Sequence, residues 1–277
     1  MRQSGFVDAV DGLGRSDHLC WAFDTHDEFR TLAARFLADG LAAGQQVVYL
    51  AESAGAAELD GFGGFAAARA SGAARVQDLS IYDRSLLAEP RAQVRAYAQA
   101  TEQALAAGYT GLRVAADATP LVRTPADRSA FARYEHLVDV YMTRHPFAAM
   151  CGYHRGRLDP AAIAELACMH PLARSSSAPL RLFASDQPGI DMVLAGEVDL
   201  AGHALLRTAL EHADAAPAGG EISVDARHLT FIDHRGLMRL AEHVQARGGT
   251  AVLHTARGAT RLLTELLDLP QLRVSAS

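Results

Sequence analysis

From residue 15 to residue 172 the chain alternates short apolar runs with stretches whose apolar residues recur every three or four positions. Strands separated by helices in this way are joined by crossovers, which pair strands in parallel and almost always with a right-handed turn. The runs are HLCWAF at 18–23, QVVYLA at 46–51, ARVQDLS at 74–80, LRVAAD at 112–117 and FAAMCGY at 147–153. Between the first two, Phe29, Leu32, Phe36, Leu37 and Leu41 fall at helical spacing; Asp24 or Thr25 is placed to cap the start, and Gly44 to end it. Pro90 suits the first turn of a helix over 90–108, and Phe131, Tyr134, Leu137, Val138, Tyr141 and Met142 mark another. The stretch GFGGFAAARASG supports only a weak helix, because its glycines oppose one. The expected fold class is α/β, with a mainly parallel sheet flanked by helices.

At HPLARSSSAP (170–179) two prolines and three consecutive serines read as a linker. After it come LRLFASD, IDMVLAGEVD, a helix through Leu205, Leu206 and Leu210, GGEISVDA, the helix GLMRLAEHVQARG, TAVLHT, the helix TRLLTELLDL and a last strand LRV. A stretch of roughly 100 residues with its own strands and helices reads as a second, smaller α/β domain. The organisation expected is therefore a domain at 1–172, a linker at 173–178 and a domain at 179–277.

Composition narrows the function. Hydrophobic residues make up 49% of the 277, enough for two cores, and the net charge of -6 argues against direct nucleic-acid binding, which needs a clustered basic face. No apolar run approaches the length of a membrane span, and the opening MRQSGFVDAVDGLGRSDH lacks the pattern of a secretory signal, so no membrane partner and a cytoplasmic location are expected. The chain has no Lys and no Asn, which removes any phosphate-loop lysine, Schiff-base lysine or catalytic asparagine. Cys20, Cys151 and Cys168 are three and far apart, so they read as reduced thiols.

The segment GEVDLAGHALLRTAL, followed by ISVDARHLTFIDHRGLMRLAEHV and the closing TRLLTELLDLPQL, resembles the sulphate-transporter and anti-sigma-factor-antagonist (STAS) domain over 179–277. The resemblance implies a few helices on one side of a small sheet. It also implies a partner: an anti-sigma factor, itself often a serine kinase, or another signalling protein. In that family an Asp-Ser-Ser-Gly turn at a helix start carries the phosphorylated serine. Here the turn is Asp233-His234-Arg235-Gly236, which stands as the candidate partner-binding site with its acceptor position taken by Arg235. A guanidinium cannot accept phosphate, and no hydroxyl stands beside it. Asp233 suits an N-cap, and Gly236 suits close approach of another backbone. Arg235 opposes the helix dipole by about 0.3–1 kcal/mol, and both a solvent-facing placement and a contact with a partner or with the first domain stay open.

The segments HLCWAF, GLAAGQQVVYLAE, GLRVAADAT, YEHLVDVYMTRHPFAAMCGYHRGRLDP and MHP, in that order, resemble the sensory domain of the dichloromethane-responsive regulators of methylotrophs and methanogens, called MEDS. The resemblance covers residues 15–174 and implies a fold related to RecA-like and circadian-clock ATPases. Such folds carry a glycine-rich, lysine-containing phosphate loop after the first strand. Here that connection is Asp24-Thr25-His26-Asp27-Glu28, with neither glycine nor lysine, and its carboxylates would repel phosphate. The candidates for a reused site are His18, Cys20, Cys151 and His170, whose thiols and imidazoles suit a metal, a redox response or a small-molecule ligand. His18 and Cys20 lie two apart on one strand and so share a face. With Cys151 they are expected to line a pocket beyond the carboxyl ends of the strands. The same residues could equally be ordinary core members, since free cysteines are among the most buried residues.

The reading that joins these parts is a regulatory protein rather than an enzyme, in which the first domain senses and the second binds an anti-sigma partner. A metal- or redox-dependent enzyme using the first domain's pocket, and a scaffold that senses nothing, are the alternatives. The cofactor, the sensed ligand and any self-association are left open. The expected outcome of incubating the protein with a serine kinase and ATP is no phosphate on residues 233–236 by mass spectrometry and no ATP turnover by the protein itself. Phosphopeptides covering that turn, or ATPase activity that co-purifies through every step, would contradict it.

Overall fold

The computed structural model describes residues 2–52, 55, 57–79, 89–174, 177–213 and 220–275. Ser80, at the end of the third expected strand, and Ser175 and Ser176 of the serine run lie outside the described residues. Seven strands form the first sheet: β1 (Gly5–Val7), β2 (His18–Phe23), β3 (Gln46–Ala51), β4 (Ala74–Asp78), β5 (Leu112–Asp117), β6 (Phe147–His154) and β7 (Leu172–Arg174). Their order is β1-β7-β2-β6-β5-β3-β4, and every pairing is parallel. The helices are α1 (His26–Ala42), α2 (Phe65–Ala70), α3 (Pro90–Ala106), α4 (Pro125–Met142) and α5 (Pro160–Cys168). Three start on the same local chemistry. Thr25, Thr124 and Asp159 each accept a backbone N–H three residues on, and Pro125 and Pro160 occupy first-turn positions where no N–H is needed.

Both faces of the sheet are covered, so its strands are buried along their length rather than alternately. Leu19, Trp21 and Phe23 of β2 pack with Phe29, Phe36 and Leu37 of α1, while Cys20 and Ala22 pack with residues of α3, α4 and α5. Gly152 of β6 is required by this packing. A Cβ there would lie 2.3 Å from the Phe29 ring.

The second sheet is smaller and mixed. It is built from β8 (Leu180–Ala184), β9 (Met192–Val198), β10 (Glu221–Asp225), β11 (Leu229–Ile232), β12 (Thr250–His254) and β13 (Leu272–Ser275). The order is β11-β9-β10-β12-β13 with parallel pairings, and β8 runs antiparallel to β9. Helices α6 (His203–His212), α7 (His234–Ala246) and α8 (Gly258–Leu266) accompany it, and Leu206, Leu210, Leu237, Leu240 and Val244 share one core with the strands.

Two details differ from the sequence reading. The linker expected at 173–178 begins inside the first sheet, because Ala173, on β7, is fully buried and pairs with Cys20 of β2. Three-residue strands carry too little pattern to register beside prolines and serines, and β1 escaped notice for the same reason. The stretch around Phe231, read only as part of a motif, forms β11 along the end of β9.

The two sheets meet through side chains as well as through the chain. Ala132 of α4, with Cys168 and Met169 at the end of α5, shares the core of the second sheet. Arg181 of β8 donates to the carbonyls of Gly5 and Pro171 at the edge of the first sheet. Ser129 Oγ of α4 lies 3.0 Å from His212 Nε2 of α6. Burial and the neighbouring Arg133 push the His212 pKa down to about 4, against a weaker opposing pull from Glu211. The folded value lies below the ordinary 6.5, so the stability this residue contributes is complete above pH 6.5 and is lost as pH falls toward 4, where the unfolded chain binds a proton that the folded chain refuses. In a His212→Gln variant the urea midpoint is expected to fall less steeply than in the parent between pH 6.5 and 4. Parallel curves for the two proteins would show that His212 does not carry this dependence.

Candidate functional site

Strands β2 and β6 are neighbours in register, Cys20 opposite Cys151 and His18 opposite Ala149. Side chains of register-matched residues on adjacent parallel strands point the same way, so His18, Cys20 and Cys151 all face the α4 side of the sheet. Helix α4 answers with Glu135 and Asp139, one turn apart on its buried stripe and fully buried. His170, just past α5, completes the group. One donor atom each from His18, Glu135, Cys151 and His170 lies within 4.8 Å of the other three.

The contacts are specific. His18 Nδ1 lies 2.9 Å from Asp139 Oδ1, and its Nε2 lies 3.1 Å from Glu135 Oε2 and 3.7 Å from Cys151 Sγ. The Tyr153 hydroxyl donates to Glu135 Oε1 at 2.8 Å. His170 Nδ1 sits 2.9 Å from the Leu166 carbonyl, leaving its Nε2 3.7 Å from Glu135 Oε2. His170 Nε2 has no hydrogen-bond partner. Asp139 serves three groups: Oδ1 also takes the Arg2 guanidinium, and Oδ2 accepts the Ala184 N–H of β8 at 2.9 Å.

Electrostatics follow from this arrangement. Burial opposes the charged form of His18, but Asp139 and Glu135 outweigh it and raise the pKa. Burial likewise opposes the Glu135 and Asp139 carboxylates, yet His170 and His18 beside the first, and Arg2 and His18 beside the second, hold both below the usual range. His170 is pushed down to about 4, first by burial and then by His18. Burial raises the Cys20 and Cys151 thiols well above their ordinary value, so neither is an activated nucleophile. Such a cluster can hold a proton or a cation in a dry interior.

The structure thus brings together His18, Cys151 and His170, with Cys20 beside Cys151 but outside the four-donor group. It does not place them in a pocket at the strand carboxyl ends, as the sequence reading had it. His18 is the first residue of β2 and Cys20 its third, so the group sits toward the opposite end. The cleft beyond the carboxyl ends of β3 and β5, of about 360 Å³, is lined instead by His26, Arg30, Tyr49, Glu52, Glu58 and Asp117 among others. Sequence reasoning also missed Glu135, Asp139 and Arg2. A signal for the first two was present: an acidic pair four residues apart on the stripe of Phe131, Val138 and Met142.

Beside the second sheet, Asp233 is the N-cap of α7, its side chain accepting the Gly236 N–H at 2.9 Å. The same carboxylate holds His203 Nε2 at 2.8 Å. His234 and Arg235 are exposed, which leaves Arg235 facing solvent or a partner. Gly236 is pressed by side chains rather than by another backbone; a Cβ there would lie 2.7 Å from Ile232 and 2.8 Å from Val198.

No helix among the described residues is long and apolar enough to cross a membrane. No curated protein matches the chain at a significant level. A family profile does: the MEDS domain, the methanogen/methylotroph DcmR sensory domain, matches residues 17–171. That match runs from the residue before β2 to the residue after His170, covers more than half of the chain and contains all four members of the buried donor group, and the protein belongs to the MEDS sensory-domain family.

Proposed function

We propose that the protein is a sensor-coupled regulatory switch rather than an enzyme. The MEDS domain reads a chemical state at its buried centre, and the C-terminal domain, which resembles the STAS anti-sigma-factor antagonists, binds a serine-kinase-like anti-sigma factor accordingly. The observation that carries this reading is the Asp139 carboxylate, which holds His18 of the centre on one oxygen and the Ala184 N–H of the second sheet on the other. A change in charge or position at His18 must alter Asp139, and with it the seat of β8.

A route onward to the candidate partner site supports the proposal. Ala184 pairs with Met192 at the start of β9. At the other end of β9 the Val198 carbonyl accepts the Asp233 N–H at 3.1 Å, and Gly236 packs on the Val198 side chain. The turn that would meet an anti-sigma factor is therefore mounted on a strand whose far end answers to the sensor. With Arg235 in place of a phosphoacceptor, control of this turn has to arrive from inside the molecule.

The test is binding of the full chain to a serine-kinase-like anti-sigma factor, measured by calorimetry with two variants. Reversing the exposed charge with Arg235→Glu should weaken binding at least tenfold, equal to about 1.4 kcal/mol. Asp139→Asn, which leaves Arg2 without its countercharge, should lower stability by about 3–5 kcal/mol and shift partner affinity although it lies nowhere near the turn. Failure of the parent to bind any such factor, or an unchanged affinity in folded Asp139→Asn protein, would overturn the proposal.

A further inference from the structure

We infer that His18, Glu135, Cys151 and His170 form a buried binding site for one divalent transition-metal ion of the zinc class. It deepens the sensory reading above by naming what the centre takes, and it rests on its own geometry.

The first observation is the direction of the lone pairs. The Leu166 carbonyl can only accept, so His170 Nδ1 carries the proton there and Nε2 presents a lone pair to the centre. Asp139 is an acceptor in the same way for His18 Nδ1, which turns His18 Nε2 inward. Tyr153 engages Glu135 Oε1 and leaves Oε2 inward. Two imidazole nitrogens and a carboxylate oxygen thus converge with the Cys151 sulfur, each held from behind by another group. Carboxylate or carbonyl support behind a ligating histidine is the arrangement that fixes a metal ligand and raises its basicity.

The second observation is that this convergence is unsatisfied. His170 Nε2 has no hydrogen-bond partner although the residue is fully buried, and Glu135 Oε2 faces His18 Nε2 at 3.1 Å. A buried acceptor left unpaired is costly, so the fold maintains an arrangement that something in the centre must compensate. A proton on His18 would satisfy Glu135 and leave His170 Nε2 with nothing.

Charge and size agree with a metal. Arg2 already neutralises Asp139. What remains is the Glu135 carboxylate and, once its proton has left, the Cys151 thiolate; together with two neutral imidazoles they balance a divalent cation. Ligands about 2.0–2.3 Å from a tetrahedral ion lie roughly 3.3–3.8 Å apart. The observed separations of 3.1 and 3.7 Å, within a group no wider than 4.8 Å, need only small side-chain movement. A mixed nitrogen, sulfur and oxygen set favours zinc, cobalt or ferrous ions over magnesium or calcium. Binding forms the metal–sulfur bond and sends the Cys151 thiol proton to solvent, so affinity should rise with pH.

Cobalt(II) is the probe. Full-length protein, stripped with a chelator and shown by circular dichroism to remain folded, is titrated with Co(II). One equivalent is expected to give visible tetrahedral bands and a near-ultraviolet thiolate-to-cobalt band, both removed by one equivalent of zinc. Cys151→Ser should abolish the thiolate band, His170→Gln should weaken binding, and Asp139→Asn, acting through His18, should weaken it 10–100-fold. Cys20→Ser should leave the spectrum intact. If stripping unfolds the chain, elemental analysis of the protein as purified takes the place of the titration, and one zinc, iron or cobalt per chain is expected. A folded chain that binds no cobalt, a thiolate band that follows Cys20 instead of Cys151, or an unfolded stripped chain purified without metal overturns the site. Cobalt bound as expected with partner affinity unmoved would leave the site standing and remove the switch.

Discussion

A carboxylate with no access to water, Asp139, holds the molecule in its present form. Taking such a charge out of solvent costs several kcal/mol, and only a nearly complete set of donors repays it. Those donors come from three places far apart in the chain: Arg2 near the start, His18 at the head of β2, and Ala184 at the end of β8. Because each is attached to a different part of the fold, satisfying one carboxylate fixes the N-terminal segment, the seven-stranded sheet and the mixed sheet against helix α4. Glu135, one turn earlier, then has a single place to go, between His18, Tyr153 and His170. Apolar burial through Ala132, Cys168 and Met169 supplies adhesion between the halves, but apolar contacts tolerate sliding. The hydrogen-bonded carboxylate sets the register.

How much of this could be read beforehand depends on how far each interaction reaches along the chain. The strands at 46–51 and 112–117, the cap at Thr25 and the first-turn Pro90 are local, and their patterns stood clear in the sequence. So were His18, Cys20, Cys151 and His170, because thiols and imidazoles on apolar strands draw attention by type. Glu135 and Asp139 did not, since a carboxylate on a helix is normally solvated, and nothing within a helical turn says otherwise. Two of the partners of Asp139 lie over a hundred positions away, 121 residues separating His18 from it and 137 separating Arg2. Only the sheet order, which puts β2 beside β6 and under α4, makes them neighbours. The pocket expectation failed for a related reason. A rule about strand ends cannot locate a site when the candidate residue opens its strand instead of closing it.

Moving the chemistry to that end is consistent with what became of the usual ligand position. The cleft at the carboxyl ends of β3 and β5 carries Glu52, Glu58 and Asp117, and Asp117 is engaged by His26 at 3.3 Å. The cleft has no lysine and sets Arg30 and Arg157 among its acids, so it is not a phosphate loop of the usual kind. The parallel sheet keeps its architecture while its interior gathers a second, fully buried set of titratable groups.

The magnitudes favour such an interior as a source of regulation. A hydrogen bond to a charged group is worth about 1.5–3 kcal/mol, so weakening the Asp139–Ala184 bond alone would alter the balance between two seatings of β8 by roughly 10- to 150-fold. Coupling energies between distinct sites in proteins typically run at about 1–3 kcal/mol, the same range. Nothing larger is needed, and nothing larger would be useful, because a shift well beyond this would threaten a total stability of only about 5–15 kcal/mol. An exposed modification at the Asp233–Gly236 turn would act by adding charge at the proposed partner surface itself. A buried group acting through one hydrogen bond leaves that surface chemically unchanged and moves only the strand beneath it. The exposed Arg235 fits the proposed second arrangement, since a permanent cation can serve a partner contact and offers no hydroxyl to a serine kinase.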